Sequence, residues 1–386
     1  MPEPATLDHT RNGGRSIKVR NVLNPTVDMA CTNGEVLGRT REALPSGYPC
    51  RTQPGRSARG LPQARSPHAN HTLLHPIMRI EMKAGTRLPG TPEPMHLWKG
   101  SDGIRLAGDT WGRPDGPLVV LLHGGGQTRH AWGGIGALLG SMGYFAVAYD
   151  ARGHGDSDWS PNGDYSQDAL VRDLKCVVEA LGGARPALIG ASLGGGTSLV
   201  ATGEHHIDTL ALILVDIVPY TEPAGVARIH TFMQQNPDGF GSLEEVADAI
   251  SQYRPTQSRP RNLDGLSKNV RLCDDGRYRW HWDPLFIAGP IDLRTRHARF
   301  AACARQLTPP TLLVRGGSSD VVSEAGVREF LELCPHSEYV NVVEAGHMVA
   351  GDRNDVFGKA AVQFLSRNAP VALHADYATH GRTLRA

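Results

Sequence analysis

The chain has 386 residues, 40% of them hydrophobic, and a formal net charge of +1. That near-neutral balance gives no footing for nucleic-acid binding, and the lack of any run of 18 or more apolar residues leaves no membrane span to expect. Six cysteines, Cys31, Cys50, Cys176, Cys273, Cys303 and Cys334, are scattered without paired spacing, which points to a reduced, cytoplasmic environment.

The average charge hides an asymmetry. Residues 1–77 hold ten Lys or Arg against five Asp or Glu, whereas from Met78 onward the count is 30 against 34. The front segment has Tyr48 as its one aromatic residue and is broken by Pro and Gly throughout, so it buries too little apolar surface to offset the entropy of ordering. The expectation is a disordered basic extension, or a start placed upstream of the true one at Met78, Met82 or Met95. A targeting peptide is the other reading, although the segment lacks the apolar core of a secretory signal and a sustained amphipathic period.

Further along, Leu97 to Trp111 reads as a hairpin around Ser101-Asp102-Gly103. Pro117 to Leu122 is a continuous apolar run of the kind buried on both faces of a sheet, and it ends in His123-Gly124-Gly125-Gly126. Helical stretches at Ala131–Met142 and Tyr165–Leu181 flank a strand from Tyr144 to Tyr149. The turn after that strand contains Arg152-Gly153-His154-Gly155-Asp156, where polar residues and positive φ serve the turn itself, so His154 is read as structural. Next comes Pro186-Ala187-Leu188-Ile189, a short buried strand, followed by Gly190-Ala191-Ser192-Leu193-Gly194 and a Gly- and Ala-rich helix to Thr202. A strand that turns abruptly into a helix lifts its tip residue out of the sheet, and Cβ atoms at Gly190 and Gly194 would collide with the neighbouring backbone. Ser192 is therefore a candidate nucleophile.

A serine nucleophile at neutral pH needs an imidazole base and a carboxylate to hold it. The strand Pro310–Val314 leads into Arg315-Gly316-Gly317-Ser318-Ser319-Asp320, and the strand Glu338–Val343 leads into Glu344-Ala345-Gly346-His347-Met348 ahead of a helix from Asp352 to Leu365. Asp320 and His347 are the expected partners, with Asp216, directly after the strand-like Leu210–Val215, as the alternative acid. The amides of Gly125 and Leu193 are the expected oxyanion donors, because backbone N–H groups in a glycine loop and after the nucleophile need no reorganisation to meet developing charge. His205-His206 lacks metal-ligand spacing, so no metal and no cofactor is expected.

From about Met95 to Asn368 these motifs together resemble the α/β-hydrolases. The resemblance rests on the His123–Gly126 loop, Tyr149 to Ser157, the turn at Ser192, Arg315 to Asp320, and Ala345-Gly346-His347. It implies a mostly parallel sheet covered by helices on both faces, with an inserted lid. A serine at the tip, where epoxide hydrolases and haloalkane dehalogenases of the superfamily carry Asp, implies ester-type hydrolysis through an acyl-enzyme. Carbon–carbon hydrolysis of a vinylogous diketone and cofactor-free perhydrolysis are the alternatives on the same apparatus, although Gln127 stands where the former leads one to expect Pro. A non-catalytic small-molecule receptor is the alternative of another class. The one partner expected is a small, largely apolar substrate.

The expected division is an extension over 1–77, core over 78–216, a lid over 217–300, core again over 301–368 and a tail over 369–386. Within the lid, Ser242-Leu243-Glu244-Glu245 has the form of a capping box. Asp274-Asp275-Gly276 separates Val270–Cys273 from Tyr278–Trp282, whose alternation puts Tyr278, Trp280 and Trp282 on one face if that arm is extended. Phe232, Met233, Phe240 and Phe286 add to a lid rich in large apolar side chains. Phe232, Trp280, Trp282 and Met348 are the candidate pocket residues, with plain lid-to-core packing as the competing role.

Overall fold

A computed structural model describes residues 19–20, 85–253, 263–349 and 354–371. Its strands are β1 (Val19–Arg20), β2 (His96–Lys99), β3 (Arg105–Trp111), β4 (Leu118–Leu122), β5 (Phe145–Tyr149), β6 (Ala187–Ala191), β7 (Ala211–Val215), β8 (Val270–Leu272), β9 (Tyr278–Trp280), β10 (Thr311–Gly316) and β11 (Glu338–Val342). Its helices are α1 (Gly133–Ser141), α2 (Gln167–Ala180), α3 (Leu193–Gly203), α4 (Pro223–Gln234), α5 (Leu243–Tyr253), α6 (Leu293–Gln306), α7 (Glu324–Leu333) and α8 (Asn354–Asn368).

Among the described residues nine strands form one sheet in the order β1-β11-β10-β7-β6-β4-β5-β3-β2. The block from β11 to β5 is parallel, and the hairpin β2–β3 adds two antiparallel strands at one edge. At the other edge Val19–Arg20 run parallel to β11, while the remainder of 1–77 lies outside the described residues. Mostly parallel pairing follows from the strand–helix alternation, since each return to the same edge needs a crossover helix.

Burial on both faces follows from continuous apolar strands. In β4, Leu118, Val120 and Leu122 belong to one hydrophobic layer, and Val119 and Leu121 to the other. The first layer is completed by residues of α2, α3, α6 and α7, such as Leu174, Leu199, Phe300 and Phe330. The second is completed from α1 and α8, through Ile135, Leu139, Phe357 and Phe364. Alternate residues of a strand point to opposite faces, so polar substitution at either set opens a core layer.

Between β7 and α6 the chain leaves the sheet and forms α4, α5 and the hairpin β8–β9. These pack around a separate cluster that includes Met233, Phe240, Val246, Trp280 and Trp282. Half of the expected capping box forms at α5: Ser242 Oγ accepts from the Glu245 amide, while the Glu245 carboxylate accepts from the Gly241 amide rather than from that of Ser242. The insertion ends near residue 292, not 300. Phe300, Cys303 and Ala304 of α6 are part of the first core layer, so that helix covers the sheet rather than the insertion. Among the described residues no helix is long and apolar enough to cross a membrane.

Candidate active site

Parallel strands all release their chains at one edge, and that edge gathers the candidate residues. Between β6 and α3, Ser192 adopts φ 46° and ψ −107°, a left-handed backbone that costs a non-glycine residue energy. Its neighbours show why the turn holds. A Cβ on Gly190 would lie 2.3 Å from the Gly194 carbonyl oxygen, and one on Gly194 would lie 2.4 Å from the Leu122 carbonyl oxygen. The Ser192 amide donates to the Val215 carbonyl at 3.0 Å, and the Gly194 amide to that of His123 at 3.1 Å, so the turn is stitched to the strands on both sides.

The imidazole arrives from the loop after β11. His347 Nδ1 lies 2.6 Å from Asp216 Oδ2, and Asp216 is wholly buried at the end of β7. The same carboxylate accepts from the Gly316 amide through Oδ1 at 2.8 Å and from the Ser319 hydroxyl through Oδ2 at 2.5 Å. Asp320, the first expectation for this place, does not reach His347. It is partly exposed and pairs with Arg228 of α4 at 2.8 Å. The physical reason is the conformation of the loop after β10, which presents its Gly316 amide and Ser319 hydroxyl inward as a cradle for Asp216 and turns Asp320 outward. Asp216 also has a positive φ, 51°, which those hydrogen bonds hold in place.

Glycines 124 to 126 form the second wall. The Gly124 amide donates to Gln127 Oε1 at 2.9 Å and the Gly126 amide to His154 Nε2 at 3.1 Å. Among the described residues the amides of Gly125 and Leu193 have no hydrogen-bond acceptor, and both residues line the same cavity as Ser192. Two unpaired backbone donors at a cavity wall are open to a ligand oxygen.

Three buried histidines brace this loop, each in a defined tautomer. His123 donates from Nδ1 to the Gly124 carbonyl and accepts the Ala151 amide at Nε2, at 2.8 and 2.9 Å. His154 donates from Nδ1 to the Arg152 carbonyl and accepts Gly126 at Nε2. His281 accepts the Gly155 amide at Nδ1 and donates from Nε2 to the Gly126 carbonyl, at 2.8 and 3.2 Å. An imidazolium has no acceptor, so each arrangement requires the neutral ring. Burial accordingly lowers all three pKa values: His123 and His281 fall below the ordinary histidine value, and His154 falls to about 3. His154 is thus structural, as its turn suggests. His281 escapes a reading of the sequence, because its partners are more than a hundred residues away; its one signal is alternation, which puts it on the face opposite Trp280 and Trp282.

Beneath the loop, Arg129 is completely buried and binds three carboxylates, Asp109 at 2.9 Å, Asp150 at 2.6 Å and Asp156 at 2.9 Å. Arg271 of β8 joins the cluster through Asp156 at 2.9 Å. The insertion is therefore tied to the core by charge as well as by apolar packing.

The cavity above Ser192 has a volume of about 940 Å³. Phe232, Trp280, Trp282 and Met348 all line it, as do His347, Gly125 and Leu193. Trp280 and Trp282 stack with centroids 4.9 Å apart, and Phe240 meets Trp280 edge-on from behind, so the same indole both lines the cavity and packs the insertion.

Fold and site together define a serine hydrolase built on an α/β sheet. Residues 117–353 match the model of the alpha/beta hydrolase fold family, and the chain belongs to that family. It is 30% identical over 252 residues to the esterase Rv0045c of Mycobacterium tuberculosis, covering 63% of this chain and 80% of that one. It is 25% identical over 260 residues to the sn-1-specific diacylglycerol lipase ABHD11 of Mus musculus, covering 65% and 81%. Among solved structures, E-2-(acetamidomethylene)succinate hydrolase superposes with a TM-score of 0.63 at 23% identity, over 70% of this chain and 98% of that one, a likeness of fold.

Proposed function

We propose that the protein is an esterase that cleaves a small substrate through a Ser192–His347–Asp216 triad and an acyl-enzyme. The observation that carries this reading is a cavity lined both by His347, which is paired with the buried Asp216, and by Ser192 on a strained turn, beside two amides that have no acceptor among the described residues. Asp216 accepts the Nδ1 proton, which leaves Nε2 as the basic nitrogen that can take a proton from the serine. As Ser192 Oγ attacks the ester carbonyl, His347 takes its proton, and the carbonyl oxygen becomes an oxyanion that the Gly125 and Leu193 amides receive. Collapse passes that proton to the departing alcohol. Water, deprotonated by the same imidazole, then attacks the acyl-enzyme, and the second tetrahedral species releases the acid and restores Ser192. The insertion acts as the lid, with Trp280, Trp282, Phe232 and Met348 giving the apolar part of the substrate its binding surface.

Turnover of p-nitrophenyl esters of increasing acyl length tests the proposal, with a vinylogous diketone run beside them. The expected result is ester hydrolysis with a chain-length optimum, and a fall in kcat of more than about 10⁴-fold in Ser192→Ala. Faster cleavage of the diketone than of every ester, or ester turnover that survives Ser192→Ala, overturns it.

A further inference from the structure

Among the described residues, a half-buried arginine in the cavity has no carboxylate within ion-pair distance. Arg296, in the first turn of α6, lines the cavity together with Ser192 and His347. Its guanidinium donates from Nη2 to the Thr221 hydroxyl and lies over the Phe300 ring, 5.8 Å from its centroid. Its Nε is buried without an acceptor. A guanidinium has five N–H donors, and one neutral hydroxyl leaves the others unmatched among the described residues.

Five carboxylates of the neighbouring elements have other partners. Asp292, one turn earlier on α6, caps that helix through the Arg294 and Thr295 amides and the Thr295 hydroxyl. Asp320 pairs with Arg228, Glu329 with His297, and both Glu204 and Asp168 with Arg299. Desolvation lowers the Arg296 pKa with no acidic neighbour to raise it. A second cavity-lining group, His230 of α4, has its Nε2 buried with no partner. Holding a partly desolvated cation without a counter-ion is costly, and an anion arriving with the substrate offsets that cost.

From this we infer that Arg296 is a carboxylate-binding specificity residue, and that the natural substrate is an ester bearing a free carboxylate on its acyl or alcohol part. The planar fork of the guanidinium matches a carboxylate, while the aromatic wall around Trp280 and Trp282 takes the apolar spacer. The inference rests on the esterase reading, since it names the substrate class of that same site.

The test is a selectivity ratio, the kcat/KM of a carboxylate-bearing ester divided by that of its uncharged analogue of equal length. Mono-p-nitrophenyl esters of dicarboxylic acids against p-nitrophenyl alkanoates place the charge on the acyl side. Butyrate esters of ω-hydroxy acids against butyrate esters of alkanols, followed by pH-stat, place it on the alcohol side. In the native protein one of the two series is expected to favour the anion by about tenfold to hundredfold at a preferred spacer length. In Arg296→Gln that ratio collapses toward one, and in Arg296→Lys part of it returns. A role confined to structure lowers both members of each pair alike and leaves the ratio fixed, which overturns the inference. So does a native preference for the uncharged ester in both series, or a collapse of the ratio in Lys268→Gln, a second cavity-lining cation, with Arg296→Gln unaffected. If no ester of either kind turns over and a fluorophosphonate does not modify Ser192, the esterase reading itself has failed. If uncharged esters turn over without anion selectivity, the substrate class alone has failed.

Discussion

Replacing Asp216 by Asn keeps the shape of the side chain and changes the direction of one hydrogen bond. The substituted side chain retains a carbonyl oxygen to accept from the Gly316 amide, but its nitrogen now stands where Oδ2 accepted from His347 and Ser319. That –NH₂ group donates to Nδ1 of the ring, so the imidazole proton moves to Nε2 and that nitrogen is no longer a base for Ser192. It also leaves the charged form of the ring, generated in each proton transfer, without the counter-ion that the wholly buried Asp216 supplies. Loss of tautomer and charge together is worth about 10³- to 10⁴-fold in kcat, or roughly 4 to 5.5 kcal/mol of transition-state stabilisation. The comparison is Asp320→Asn. In the native pair Asp320 is 31% exposed and Arg228 55%, and such a pair contributes below about 1 kcal/mol. Hydrolysis of one p-nitrophenyl ester by both variants, with kcat and KM resolved, distinguishes them: Asp216→Asn falls by three to four orders of magnitude in kcat, and Asp320→Asn stays within about threefold. A collapse in Asp320→Asn with Asp216→Asn near native refutes the reasoning, because the acid would then be supplied from the loop after β10.

Acid lability is also expected. His123, His154 and His281 are neutral in the fold with lowered pKa values, whereas in the unfolded chain they take up protons near pH 6.5, so stability is retained above that pH and lost below it. The His154 ring contributes about 1.4 kcal/mol of lost stability per pH unit as pH falls below 6.5, a contribution that persists down to about pH 3, and His123 and His281 act in the same direction. Denaturant midpoints should therefore drop steeply between pH 6.5 and 5, with a shallower drop in His281→Gln; a flat native profile contradicts the assignment of neutral rings. Arg129→Met leaves Asp109, Asp150 and Asp156 facing one another without their shared cation, and it should lower unfolding free energy by about 3 to 5 kcal/mol in chemical denaturation. A change below about 1 kcal/mol shows that solvent reaches the cluster.

How far the site was legible differs from residue to residue, for physical reasons. Ser192 and the loop at Gly125 are written in local sequence, because steric demands for glycine and continuous apolar strands act over a few residues. The acid is not. Asp216 and Asp320 each follow one of two adjacent parallel strands, β7 and β10, and only the inward Gly316 amide and Ser319 hydroxyl decide between them. The aromatic arm of the insertion shows in its alternation, whereas the support that His281 gives Gly126 depends on contact across 155 positions. An insertion reaching residue 300 is what the sequence suggests, which would put the Arg-rich start of α6 in the lid. Its narrow apolar stripe of Phe300, Cys303 and Ala304 is nevertheless enough to dock it on the core. Arg296 looks, in sequence, like any other arginine of that helix; its lack of an acidic partner exists only in three dimensions.

The account turns on Ser192 being an activated nucleophile, and covalent trapping tests that most directly. The folded protein is treated with a fluorophosphonate, digested, and the modified peptide sequenced by mass spectrometry. One adduct per chain on Ser192, formed far more slowly in His347→Ala and Asp216→Asn, is the predicted result. Folded native protein that remains unmodified, or an adduct on a different serine, contradicts the account.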